Sequence, residues 1–109
     1  MSNTLCIEAT LVECAPMRYT PAGVPVVSCV LGHASRQLEN GVERDVECEL
    51  PAVALGELAS QMAVAACGWR LEATGFLAAK SKRSKAPVLH MTNIKFLEGT
   101  DNGFQTQGS

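Results

Sequence analysis

Apolar side chains in this sequence return at every second residue along most of its length, and only one stretch keeps a different period. A period of two is the signature of strands with one buried face. Asn3–Ala15 places Leu5, Ile7, Ala9 and Leu11 on one face and Glu8, Thr10 and Val12 on the other. Val26–Ser35 sets Val27, Cys29 and Leu31 against Val26, Ser28 and Val30, apolar on both faces as a central strand would be. Val42–Leu50 is a third strand, closed by Pro51; Asn40-Gly41 just before it is a strong two-residue hairpin signal. Trp69–Ala79 and Val88–Leu97 complete the set.

The exception is Ala52–Ala66, where Leu55, Leu58, Ala59 and Met62 fall at helical spacing, with Cys67-Gly68 as the stop. Gly56 weakens that helix by up to ~1 kcal/mol relative to alanine. Tyr19–Pro25, with two prolines and a glycine, is expected as a turn-rich connector. Three strands, a short helix and two more strands is the order of an all-β, five-stranded Greek-key barrel, the OB-fold. The domain is expected to cover residues 1–98, with the polar, glycine-containing residues 99–109 as a flexible tail.

Composition narrows what such a barrel can do. With 47% apolar and 18% charged residues the chain suits one folded domain. It holds no run long enough for a membrane helix and its N-terminus lacks a secretory pattern, so the cytoplasm is expected. Cys6, Cys14, Cys29, Cys48 and Cys67 are scattered, with no close pair of the kind zinc sites use, so no metal or other cofactor is expected. His33 and His90, the two histidines, lie within strands without an identifiable partner, and no nucleophile, metalloprotease or phosphate-loop motif occurs. A small enzyme or metal protein built on these histidines or cysteines is therefore disfavoured.

One loop departs from the mildly acidic whole. Lys80, Lys82, Arg83 and Lys85 are crowded between the last two strands, in a chain with nine Lys and Arg and a net charge of −2. Serines between them offer further hydroxyls to phosphate oxygens. In OB-folds the loop between the fourth and fifth strands is a usual ligand element. Stacking rings are scarce: Tyr19, Trp69, Phe76, Phe96 and Phe104 are the whole aromatic set. Trp69 and Phe96 share parity with core positions, which leaves Tyr19 as the candidate for stacking on a base. The third strand adds an acidic stripe, Glu43, Asp45, Glu47 and Glu49.

Several segments in order carry a family resemblance: Thr20-Pro21-Ala22-Gly23-Val24-Pro25, Val30-Leu31-Gly32-His33, Cys48-Glu49-Leu50-Pro51, Gly75-Phe76 and Val88-Leu89-His90. Together, from Asn3 to about Glu98, the chain resembles the primosomal replication protein N family (PriB), relatives of the bacterial single-stranded DNA-binding proteins. The resemblance implies an OB-fold homodimer without enzymatic activity that binds single-stranded DNA and joins the PriA helicase, and in some bacteria DnaT. It implies Arg18, Arg44, Lys80, Lys82, Arg83 and Lys85 at or near DNA, with Arg36 as a weaker candidate. Val12 and Val26 are available to a second protomer. Where family members place aromatics on the third strand this chain has Val42 and Glu47, so weak electrostatic binding is expected. The alternative is a helicase adaptor that uses the acidic stripe and barely touches DNA.

Overall fold

The computed structural model describes residues 1–97, in which six strands and one helix form a closed barrel with a projecting arm. The expected tail, 99–109, and Phe104 lie outside the described residues. Strands β1 (Leu5–Cys14), β2 (Arg18–Tyr19), β3 (Pro25–Glu39) and β4 (Val42–Leu55) precede helix α1 (Glu57–Ala63), and β5 (Arg70–Ala79) and β6 (Pro87–Phe96) follow it. Five of these close the barrel: β1 pairs with β5, β5 with β6, β6 with β4 in parallel, β4 with β3, and β3 returns to β1. The sequence-derived fold class holds, including the short helix ahead of the last two strands. Among the described residues no helix is long and apolar enough to cross a membrane.

The core lies where the inward rows meet. Leu11, Val27, Leu31, Met62, Leu71 and Leu89 are its largest fully buried side chains, each worth roughly 1.5–3 kcal/mol in apolar burial. Ala59 and Met62 turn α1 onto the barrel end. Trp69 packs edge-on against Phe96 at 5.5 Å and both are half-buried, which agrees with a place at the end of the core.

Several boundaries differ from the sequence pattern. The connector before Pro25 contains the two-residue strand β2, paired on β3. Strand β4 does not stop at Pro51 but runs on to Leu55, so the helix is seven residues rather than Ala52–Ala66. The reason is hydrogen-bond parity. Gly56 N–H donates to Pro25 O at 2.9 Å, and counting back by twos puts Pro51 in a non-bonded pair with Val30, its nitrogen turned away from β3. On that other side the ladder with β6 begins only at Ala52, so the proline interrupts nothing. Ala52 and Ala54 are then buried core positions, and Leu55, taken as the start of the helical stripe, is 45% exposed on the strand. Gly56 is the hinge between the two elements, with φ of 69°, a conformation that only glycine adopts freely.

The arm arises because strands part company. β1 leaves β3 at Thr10↔Gly32, and β6 meets β4 only at Ala52 and Val53, so residues 33–39 and 42–50 continue as a two-stranded ribbon. Asn40 and Gly41 close it with φ of 53° and 78°, the left-handed pair a two-residue hairpin needs. Val42, Val46 and Cys48 share one face of this ribbon without a core beneath them: Val42 is 65% exposed, Cys48 is exposed and Val46 is half-buried. Val26, by contrast, is buried and is not available to a partner, and Val12 is exposed at the bulge between Leu11 and Glu13.

A second bulge fixes β5 against β6. Thr74 pairs with Asn93 and Gly75 with Met91, which leaves Thr92 as the extra residue, its hydroxyl donating to Thr74 O at 3.2 Å. Gly75 lies so close to β6 that an added Cβ would fall onto the carbonyl of His90. Gly75→Ala should therefore destabilise the barrel by about 2 kcal/mol, as overpacking against backbone does, read as a lower midpoint in urea with an unchanged slope.

Candidate nucleic-acid interface

The loop between β5 and β6 is built by its serines. Ser81 Oγ accepts from the N–H groups of Arg83 and Ser84 at 3.2 and 3.1 Å, and Lys80 N–H donates to Ala86 O at 2.8 Å. These bonds curl residues 80–86 into a tight tip in which the hydroxyl oxygens serve the backbone first. Lys80, Lys82, Arg83 and Lys85 all stand exposed, and among the described residues none makes an ion pair.

Beside this tip runs a groove of about 820 Å³ across the outer barrel face. Its floor is small and aliphatic, with Val12, Val30, Pro51, Val53 and Val88 among its lining, and Arg18 and Lys80 both reach it. Arg18 Nη1 donates to Ser28 Oγ at 3.1 Å and has no carboxylate partner among the described residues. Fold therefore brings Arg18, far away in sequence, into the same groove as the start of the basic loop. Among the described residues Glu13 is the one carboxylate lining it.

The two arginines of the arm are placed otherwise. Arg36 holds Glu43 Oε1 at 3.2 Å and Asp45 Oδ1 at 3.1 Å, while Arg44 holds Glu39 Oε1 at 2.7 Å from the opposite face of the ribbon. Both charges are already locally balanced, so neither joins the groove's unpaired cations. The same pairs use up half the acidic stripe: Glu43 and Asp45 serve Arg36, whereas Glu47 and Glu49 have no ion-pair partner among the described residues. Glu47 and Glu49 instead border a smaller cleft of about 680 Å³ with Glu8, Gly32, His33 and Ala34.

Tyr19 is 66% exposed on β2 but does not line the groove. Successive strand residues point to opposite sides, so with Arg18 aimed at Ser28 the Tyr19 ring faces away. The aromatic pair that does reach the outer face is one the sequence pattern passed over. Phe76 and His90 are register partners whose rings stack at 5.2 Å and 10°. His90 sits in the groove lining and Phe76 is 41% exposed beside it. The available signal was the parity break in β6, where Leu89 and Met91 are inward at odd positions and Ile94 at an even one.

His33 has a structural place. Its Nδ1–H donates to Glu8 O at 2.6 Å, and its Nε2 accepts from the Ser35 hydroxyl at 2.8 Å. That pair of bonds ties the root of the arm to β1. Among the described residues no group of three or more His, Cys, Asp or Glu side chains is arranged to hold a metal.

The closed five-stranded barrel, with one short helix ahead of its last two strands, is of the single-strand-binding fold class. A family profile described as "Another single-strand binding protein family" matches residues 3–93. The chain belongs to the family of replication restart protein PriB: the Bordetella pertussis protein of that name is 40% identical over 98 residues, 90% of this chain and 92% of the relative. The PriB structure from Ralstonia solanacearum superposes with a TM-score of 0.80 at 40% identity, covering 89% of this chain and all (100%) of that one. A Thermus aquaticus single-stranded DNA binding protein (a deletion mutant) matches with a TM-score of 0.74 at 25% identity, covering 90% of this chain and 51% of that one.

The thiols add a test of the packing beneath the groove. Burial, and then the nearby Cys14, pushes the Cys29 thiol up from 9.0 to about 12, and burial followed by Cys67 raises Cys14 as well. The unfolded chain ionises Cys29 first, so its contribution to stability is intact below pH 9.0 and is lost as pH rises toward about 12. Native protein treated with iodoacetamide near neutral pH should label the exposed Cys6, Cys48 and Cys67 readily and leave Cys29 unmodified. Mass mapping with and without urea checks this, with Cys29 appearing only in the denatured sample.

Proposed function

We propose that this protein is a non-enzymatic single-stranded DNA-binding accessory factor of replication restart, acting in the cytoplasm with the PriA helicase and, where present, DnaT. The observation that carries the reading is the set of unpaired cations at one place: Arg18 and Lys80 at the groove, with Lys82, Arg83 and Lys85 continuing along the ordered tip. Such a row holds phosphates of any sequence. Binding by it is electrostatic and weak, because the net charge of −2 supplies no long-range attraction and the arm offers Val42 and Glu47 where stacking rings would strengthen it. Arg36 and Arg44 contribute less to this reading than their sequence positions imply, since their charges are shared with carboxylates of the arm.

A homodimer is part of the same proposal. Residues 5–9 of β1 pair with β5 on one side only, and their other edge faces no strand among the described residues. An open edge of this kind favours addition of a second strand, and light scattering of the purified protein tests it. The adaptor reading is supported by Glu47 and Glu49, carboxylates left without salt-bridge partners on the outer face of the arm. They suit a basic segment of the helicase, so Glu47→Gln with Glu49→Gln should weaken PriA association more than DNA binding.

Fluorescence anisotropy with a labelled single strand, titrated over several salt concentrations, tests the DNA reading. Four phosphate contacts give a log–log salt slope of roughly −3, and changing Lys80, Lys82, Arg83 and Lys85 together to alanine should abolish it. Absence of binding by the wild type even at low salt would leave the adaptor in front. In the same assay Glu47→Lys should raise affinity roughly three- to tenfold, the scale of a ~1 kcal/mol change in charge interaction near a phosphate. An unchanged affinity would place Glu47 off the DNA path.

A further inference from the structure

We propose that the base-contacting ring of this groove is His90, backed by Phe76, and that single-strand binding therefore carries a proton-linked component. The inference rests on the DNA-binding reading above and assigns it a residue. Three placements lead to it. Among the described residues His90 is the one aromatic side chain that lines the groove, since Tyr19, Trp69, Phe76 and Phe96 do not. Its ring is held by a parallel stack on Phe76 at 5.2 Å and 10°, so it is presented as a fixed plane. It stands in a row across the barrel, because Phe76, His90, Val53 and Ser28 are successive register partners and Arg18 donates to Ser28.

That row describes a subsite. With neighbouring strands ~4.8 Å apart, Phe76 to Ser28 spans about 14 Å. A base entering it meets the imidazole face over the aliphatic floor of Val53, Val88 and Pro51, while Arg18 and Lys80 stand within the same groove for phosphates. Stacking on a ring of this kind is sequence-tolerant, since every base has a π-face. Phe76 stiffens the imidazole from behind without touching the groove.

Histidine differs from the tryptophan or phenylalanine of an ordinary stacking site in that it can gain a charge. The charged and titratable groups around it are Arg18 from β2, Lys80 from the loop, Glu13 and Cys14 from β1, Cys29 from β3 and Cys67 from the segment after α1; β4 contributes only Pro51, Ala52 and Val53. Protonated His90 adds a third cation between Arg18 and Lys80, sits over the face of Phe76 as a cation–π pair, and donates both ring N–H groups. Bound phosphate favours that form, so lowering the pH strengthens binding.

The test is anisotropy with labelled oligothymidine, whose base does not titrate in this range, at about pH 7.5 and about pH 5.5, conditions that bracket imidazole titration. One extra phosphate contact steepens the salt slope by about 0.7 for a single strand. Wild type should show that steepening at the lower pH. His90→Phe should keep a flat ring and lose the pH dependence. His90→Gln, which removes both ring and charge, should lose affinity at both pH values. Thermal melts of each variant establish that it is folded. Equal slopes at the two pH values in wild type, or an undiminished pH dependence in His90→Phe, would overturn the role of His90 alone. Failure of wild type to bind at either pH would overturn the single-strand reading with it.

Discussion

One strand holds the barrel shut. β1 gives residues 5–10 to β5 and residues 10–14 to β3, changing partner around the bulge at Val12. Without that change of partner the chain would be an open sheet of twisted strands with two free edges. With it, the inward rows of all five barrel strands converge and the core is sealed by α1. The bulge also decides what lies outside: it pushes Val12 outward, where it lines the groove, and Gly32 opposite leaves it room, since a Cβ there would sit 2.9 Å from Val12 Cγ2. Closure and groove thus have the same local cause.

The parting of β1 from β3 also creates the arm, which is stabilised differently from the barrel. Leu50, half-buried, is where the ribbon rejoins the core, and no core lies under residues 34–39 and 42–49. What holds them is the ladder itself, the left-handed turn at Asn40-Gly41, the exposed ion pairs of Arg36 and Arg44, and the His33 bond to β1. Exposed pairs contribute little to stability. Their clearer effect here is electrostatic: Arg36 and Arg44 are tied to local carboxylates, and the outer face of the arm is left with Glu47 and Glu49. Of the cations without an ion pair among the described residues, Arg18, Lys80, Lys82, Arg83 and Lys85 gather at the groove and the loop tip, and Lys95 stands apart on β6.

Much of this was legible in the sequence because alternation is a strong signal wherever one strand face is buried. It gave five strands, their order, the hairpin at Asn40-Gly41 and the basic tip. The signal misled in two physical situations. Where hydrogen-bond parity hides a proline, as at Pro51, a residue that reads as a stop lies inside a strand. Where both faces meet solvent, as along Val42–Cys48, alternation persists without burial. Arg18 could not be assigned to the groove by spacing, because only the pairing of β2 on β3 brings it beside Ser28.

His90 shows how a single bulge reassigns chemistry. In strict alternation its even position puts it on the side of Ile94 and Phe96, which face the core and its end. Thr92 breaks the count, so that Met91 and Leu89 turn inward and His90 turns out toward Phe76. Gly75 is what permits the bulged strand to lie this close, since any side chain there would meet the His90 carbonyl. A strand glycine and a strand histidine therefore form a device: glycine sets the approach of the backbone, and the approach sets the plane of the ring. That ring is the flat surface presented at the groove.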